Sequence, residues 1–136
     1  MSLLHAALDT PLLKVLGCRL PIMLAGMGGV ARHKLAAAVA EAGGFGVLGM
    51  VREPVERITA EVTALRQLTQ SRFAINLIPA ATDAQLLHEQ VAACLALQVP
   101  AMVLFWEVDK ALVRHLKDEG VQVIHQVGSE RDADEA

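Results

Sequence analysis

The chain is poor in aromatic residues and has no excess of positive charge. Only 3% of its 136 residues are Phe, Trp or Tyr, and its net charge at pH 7 is −3. Proteins that bind nucleic acids combine basic surfaces with aromatic side chains that stack on bases. The composition therefore argues against a nucleic-acid partner.

Cysteine is also scarce, and the sequence contains no recognised metal-binding pattern. The two cysteines, Cys18 and Cys94, form no C-x-x-C pair, and the five histidines include no H-E-x-x-H pattern. Separate cysteines are typical of a reducing compartment. Residues 1–10 contain no basic segment of the kind that begins a signal peptide. These features predict a cytoplasmic protein without a metal site.

No uninterrupted hydrophobic stretch is long enough to predict a membrane span. The most apolar segment, residues 91–106, is interrupted by Gln98 and Pro100 and is shorter than the about 20 residues required. It is better explained as the end of a helix followed by a buried strand. The hydrophobic content of 54% and the mean hydropathy of +0.42 predict a single domain over residues 1–136 with a substantial core.

Five short apolar runs alternate with helical patterns. The runs are LPIML (residues 20–24), FGVLGM (45–50), FAINLIP (73–79), AMVLFWE (101–107) and VQVIHQVG (121–128). Runs of this kind are typical of strands that are buried on both faces. The alternation of strand and helix predicts an α/β fold with a parallel sheet. Ser129, with Asp132 three residues later, predicts a last helix too short to cover the preceding strand, as in a truncated chain.

The stretch GMGGVA (residues 26–31) has the spacing of the dinucleotide-binding pattern G-x-G-x-x-G/A. A dinucleotide-binding domain also needs an acid about 20 residues further on, at the tip of the second strand. Glu53 directly precedes Pro54 and is better explained as a helix-entry residue. Two architectures therefore compete for five strands. One is a flavodoxin-like open sheet, which the length favours, and the other is part of a (βα)8 barrel.

Three segments resemble, in order and spacing, the N-terminal half of the nitronate monooxygenase family, also called 2-nitropropane dioxygenase-like, and the related FMN-dependent enoyl-ACP reductases. The segments are PIMLAGMGGVARHKLAAAVAEAGGFGVLG, FAINLIP and VQVIHQVGS. The resemblance begins at about Pro11 and extends to the last residue. Members of these families are TIM barrels that hold FMN at the C-terminal ends of the strands. The resemblance therefore implies a partial barrel with about five of the eight strands.

The resemblance also implies a set of FMN-binding residues. They are Ala25, Gly26, Met27, Gly28, Asn76 and Gln126. The glycines would let the backbone approach the flavin ring, and the Asn76 and Gln126 side chains would hydrogen-bond it. The family's catalytic histidine follows the sixth strand and would lie beyond Ala136, so no catalytic residue is assigned. Trp106, near the end of the fourth run, is a candidate wall of a substrate pocket.

The implied activity is the oxidation of an alkyl nitronate by O2 through the flavin. An enoyl-ACP reductase-like activity is an alternative, because motifs in the first half of the barrel do not separate the two reactions. A third hypothesis is a non-catalytic half barrel. Such a structure would leave two sheet edges and one apolar face uncovered, which favours a homo-oligomer.

Overall fold

A computed structural model describes residues 8–136, in which helices and strands alternate. The elements, in chain order, are α1 (Pro11–Leu16), α2 (His33–Glu41), β1 (Gly46–Gly49), α3 (Val55–Leu68), β2 (Phe73–Leu77), α4 (Ala84–Ala96), β3 (Ala101–Phe105), α5 (Lys110–Asp118), β4 (Gln122–Gln126) and α6 (Glu130–Glu135). A short 3-10 helix, Pro79–Ala81, lies between β2 and α4. The prediction about a signal peptide rests mainly on residues 1–7, which lie outside the described part.

The four strands form one parallel sheet in the order β1-β2-β3-β4. Each strand therefore pairs with the next strand in the sequence. A flavodoxin-like sheet would instead have the order 2-1-3-4-5. The sequential order is that of consecutive units of a TIM barrel, and it confirms the predicted α/β fold as a partial barrel.

The first of the five predicted strands is reduced to a single bridge between Met23 and Phe45. Phe45 donates its N–H to Ile22 O at 2.8 Å, and Leu24 donates to Phe45 O at 3.0 Å. Pairing does not continue because the chain then leaves the edge of β1, and Gly26 packs against Asn76 on β2. The sheet of the described residues thus has four strands and one bridge where the sequence predicts five strands.

Both faces of the sheet are covered, which explains why the apolar runs lack strict alternation. One face packs against the helices, with Leu48, Ile75 and Met102 fully buried. The opposite face, called the inner face here, carries Val47, Ala74, Ala101 and Val103 and is packed by Leu16 of α1. Alternate residues of each strand therefore belong to two separate clusters.

No helix of residues 8–136 is long and apolar enough to cross a membrane. Residues 91–106, the most apolar segment, form the end of α4 and the whole of β3, as the sequence predicts. Gln98 lies between them with a φ of 52°, in the left-handed conformation that commonly ends a helix. The predicted cap of the last helix is also present, since Ser129 Oγ accepts a hydrogen bond from Asp132 N at 3.1 Å.

We expect iodoacetamide to modify one of the two cysteines of the native chain at pH 8. Cys94 is fully buried in α4, and burial raises the pKa of its thiol to about 12. Because the thiolate is the reactive form, Cys94 should stay unmodified. Cys18 is partly exposed and should react. Mass spectrometry should show one adduct on the native chain, none on Cys18→Ser and two after denaturation. Two adducts on the native chain would contradict the burial of Cys94.

Candidate active site

The carboxyl ends of the four parallel strands meet along one edge of the sheet, called the mouth edge here. Active sites of TIM-barrel enzymes lie at this edge because the loops that follow the strands converge there. The predicted site residues 25–28, Asn76 and Gln126 all lie at or next to the mouth edge. The candidate site is therefore assembled from segments distant in the sequence.

The glycine loop (residues 25–28) is fixed on the strand ends by two close approaches of the backbone. A Cβ atom at Gly26 would lie only 2.6 Å from Asn76 Oδ1 and closer still to Asn76 Cβ. A Cβ atom at Gly49 would lie 2.6 Å from Met27 C and 3.0 Å from Gly28 N. Neither position has room for a side chain. The two contacts seat the loop across the ends of β1 and β2.

Asn76 is the buried polar residue of this arrangement, with 1% of its surface exposed. Its Nδ2 donates a hydrogen bond to Val103 O at 3.1 Å, which joins β2 to β3. Its Oδ1 is buried and has no hydrogen-bond partner among residues 8–136. A buried acceptor without a donor is unfavourable by about 1–3 kcal/mol. The site therefore contains an acceptor that a donor on a bound group would satisfy.

Gln126 lies at the same edge but is not adjacent to Asn76. Asn76 pairs with Val103, whereas Gln126 pairs with Phe105, two residues nearer the mouth edge. Alternation places Asn76 and Gln126 on the inner face, two strands apart. His125 is on the other face, with Nδ1 3.2 Å from Gln126 O and Nε2 buried without a partner among the described residues. The structure thus brings Asn76 and the glycine loop together and leaves Gln126 on the far side of β3.

The N-terminus of α2 follows the glycine loop, and a carboxylate from the chain itself occupies it. Glu61 Oε2 accepts hydrogen bonds from the backbone N–H of His33 at 2.8 Å and from its Nδ1 at 2.7 Å. Only 6% of Glu61 is exposed, and Arg57 lies 3.9 Å from its other oxygen. A dinucleotide pyrophosphate would need this same position. The structure therefore agrees with the sequence argument against a dinucleotide-binding role for GMGGVA.

The environment of Glu61 shifts its acidity. Burial raises the pKa of this carboxyl, but the hydrogen bonds from the His33 backbone and ring and the charge of Arg32 lower it by more, so that the pKa lies below the ordinary value. Glu61 is not among the site residues predicted from the sequence. The available signal was its place beside Ile58, Val62 and Leu65 on the apolar side of α3.

A second residue missed from the sequence is Gln90 of α4, which is fully buried. Its Nε2 donates to Met50 O at 3.2 Å and to Glu53 O at 2.7 Å. Glu53 also pairs with Arg32. These contacts hold the loop after β1 at the mouth edge, so the rim of the site is built from hydrogen-bonded backbone. No group of three metal-ligating side chains is found within residues 8–136.

The chain is similar to one protein family and to several individual proteins. The sequence profile of the nitronate monooxygenase family matches residues 9–134. A 5-hydroxy-7a-methyl-1-oxo-octahydro-1H-indene-4-carboxyl-CoA dehydrogenase of Mycobacterium tuberculosis is 29% identical over 93% of this chain and 35% of its own length. A probable nitronate monooxygenase of Staphylococcus saprophyticus is 37% identical over 52% of this chain and 20% of its own length.

Two solved structures have a backbone fold similar to that of this chain. FabK from Thermotoga maritima matches with a TM-score of 0.86 and 29% identity, over 93% of this chain and 40% of that protein. A nitroalkane oxidase from Streptomyces ansochromogenes matches with a TM-score of 0.78 and 24% identity, over 91% of this chain and 44% of that protein, and shows the fold alone. The chain spans less than half the length of these relatives. Because the family profile covers nearly all of its residues, the chain belongs to the nitronate monooxygenase family.

Proposed function

We propose that residues 1–136 form the N-terminal part of an FMN-dependent oxidoreductase barrel that oxidises alkyl nitronates with O2. Family membership and the position of the site at the mouth edge support this proposal. FMN, when bound, would supply the redox chemistry of the reaction. The role of this chain is to hold and orient the flavin and to exclude water from one side of it.

Gly28 is the observation that carries the proposal. Gly26 is explained by its contact with Asn76, and Gly29 by its left-handed φ of 74°. Gly28 has no left-handed φ, and a Cβ atom added to it would meet nothing within 4 Å. The described fold therefore accepts a side chain at Gly28. A glycine on a firmly seated loop facing open space suits a flat group that approaches the backbone closely.

The polar groups of the site fit a flavin as well. The unpartnered Asn76 Oδ1 can accept a hydrogen bond from a ring N–H, and the exposed Gln126 amide can donate to a carbonyl or a ring nitrogen. Ala25 and Met27 are exposed on the same loop and would contact the ring by packing. Ala25, Gly26, Met27, Gly28, Asn76 and Gln126 are the residues proposed to hold FMN. We assign the proton-transferring base to no residue of this chain.

An enoyl-ACP reductase-like reaction is the second candidate. The backbone matches FabK with a higher TM-score, 0.86, than it matches the nitroalkane oxidase, 0.78. Both reactions would use the same flavin loop, so the flavin test below applies to both. Consumption of O2 with propyl-2-nitronate would favour the first candidate. Oxidation of a reduced nicotinamide cofactor with crotonyl-CoA, used as the enoyl probe, would favour the second.

We also infer a small-molecule substrate, a cytoplasmic location and a homo-oligomer for this protein. A net charge of −3 suits a small-molecule substrate better than nucleic acid, and two unpaired cysteines suit the cytoplasm. Ile22 and Val30 are 59% and 60% exposed, near the β1 end of the sheet. Apolar exposure of this kind supports a homo-oligomer.

We expect Gly28→Ala to weaken FMN binding by about tenfold or more and to leave the melting temperature unchanged, since its Cβ would meet only bound flavin. Gly120→Ala is the opposite control. Gly120 has a φ of 78° and lies at the other end of the sheet, so its substitution should lower stability by about 1 kcal/mol without changing the affinity for FMN.

The measurement is a titration of FMN fluorescence with the 136-residue chain. Equal affinity in Gly28→Ala and the parent chain would contradict the flavin-binding role of Gly28. Flavin-free oligomers that bind no added FMN would contradict the enzyme proposal and support a non-catalytic half barrel.

A further inference from the structure

Trp106 is the single tryptophan of the chain and directly follows β3 at the mouth edge. Its side chain is 59% exposed. Its backbone has a φ of 68°, in the left-handed region. A large apolar side chain in water and a left-handed backbone at a bulky residue are both unfavourable. Folding of the described chain explains neither feature.

The other two non-glycine residues with a positive φ among residues 8–136 have evident structural reasons. Gln98, with a φ of 52°, ends α4 in the conformation that usually closes a helix. Arg52, with a φ of 56°, donates a hydrogen bond from Nε to Ala81 O and so ties two mouth-edge loops together. Trp106 lies in neither setting. Backbone strain of this type is characteristic of functional positions.

The sheet register places Trp106 beside the proposed flavin site. Phe105 pairs with Gln126, so Trp106 and Val127 leave adjacent strands side by side. Trp106 also lies three residues beyond Val103, the residue that pairs with Asn76. The glycine loop covers the β1 and β2 side of the mouth edge. Trp106 stands on the β3 side.

We propose that Trp106 is a substrate-contact residue whose indole forms the wall against which the hydrocarbon part of the substrate packs. The inference rests on the proposed function and adds the substrate class: a nitronate with an extended alkyl group rather than the smallest members. Contact with an aromatic face favours an apolar group by burying area on both partners.

The first test is stability. Trp106→Asn should melt at about the same temperature as the parent chain, because the tolerance of Asn for the left-handed region offsets the loss of the buried part of a side chain that is 59% exposed. Gln98→Asn is the matched control, since it makes the same backbone change at a position remote from the mouth edge. A clear fall in the melting temperature of Trp106→Asn, without a fall in the control, would show a packing role and overturn the inference.

The second test is ligand contact. With one tryptophan and no tyrosine, the protein's own emission excited at about 295 nm comes from Trp106, and it is recorded in the tryptophan band, apart from the green emission of FMN. The nitronates of 1-nitrohexane and nitroethane are titrated into the chain with and without FMN, and acrylamide quenching of Trp106 is followed. We expect the hexyl probe to reduce quenching severalfold and the ethyl probe to reduce it less. In calorimetry, Trp106→Asn should bind the hexyl probe about tenfold more weakly, and Gln98→Asn should bind it like the parent chain.

The outcomes separate this inference from the flavin proposal. Bound FMN with unchanged quenching by either nitronate would overturn the role of Trp106 and leave the flavin site intact. Absence of FMN binding would overturn the proposed function. Protection of Trp106 by the hexyl probe in the absence of FMN would still support its role as a substrate-contact residue. Unchanged quenching in both forms would overturn the inference in every case.

Discussion

Gly26→Ala should destabilise the chain by about 3 kcal/mol, at the upper end of the usual cost of overpacking. The added Cβ would overlap the Asn76 side chain, with Oδ1 only 2.6 Å away and the Asn76 Cβ and Cγ nearer still. Asn76 is buried at 1% exposure and hydrogen-bonded to Val103 O, so it has no free direction in which to move. Urea denaturation measured by circular dichroism gives the difference in unfolding free energy.

A second substitution, at Asn76, tests whether the collision with its Cβ causes the loss of stability. Asn76→Ala keeps the Cβ that collides with the new methyl group, so it should not rescue Gly26→Ala. Asn76→Gly removes that atom and should recover part of the lost stability in the double variant. Gly28→Ala, on the same loop, has no neighbour within 4 Å of its Cβ and should leave stability unchanged. Equal effects of Gly26→Ala and Gly28→Ala would show that the contact with Asn76 does not seat the loop.

Glu61→Ala should lower the free energy of unfolding by about 2 kcal/mol, within the range for losing hydrogen bonds to a charged acceptor at a helix N-terminus. The carboxylate is 6% exposed and accepts two hydrogen bonds from His33 at the start of α2. Removal of the carboxylate leaves the backbone N–H of His33, in the first turn of α2, without a hydrogen-bond acceptor. It also removes the ion-pair partner of Arg57. Glu56→Ala, on the same helix but exposed, is the control and should change stability little.

The pH dependence of the same contact follows from the lowered pKa of Glu61. A carboxyl whose pKa is lower in the folded chain than in the unfolded chain stabilises the folded state. This contribution is present above the unfolded pKa, near 4.5, and is lost as the pH falls through the folded pKa. The parent chain should therefore lose stability below pH 4.5 faster than Glu61→Gln. Denaturation curves between about pH 7 and pH 3 measure this. Parallel pH profiles for the two chains would contradict the role of the Glu61 charge.

The strand positions were predictable because local sequence determines them. Apolar runs bounded by glycine, proline and serine located β1 to β4, and Ser129 located the start of the last helix. The prediction of the first of the five strands was wrong because Gly26 contacts Asn76, a residue fifty positions away, and this contact takes the chain off the edge of β1. Sequence periodicity carries no information about such a contact.

The polar framework of the candidate site was harder to predict for the same reason. Glu61 and Gln90 are side chains of ordinarily exposed types, and only their three-dimensional partners, His33 and the carbonyls of Met50 and Glu53, make their burial favourable. Asn76 was identified because it is the one polar residue in its strand. Its bond to Val103 and its unpartnered oxygen required coordinates.

The sequential order of the strands also bears on how the chain folds during synthesis. Pairing joins Gly46 to Phe73, Ile75 to Met102 and Ala101 to Gln122, so each strand meets its partner within about one βα unit of chain. A parallel pair needs a crossover connection, so pairing between consecutive strands loses less loop entropy than pairing between strands further apart in the chain. Each unit can dock as soon as the next strand emerges from the ribosome. The sheet can therefore grow in one direction, with β4 as its advancing edge.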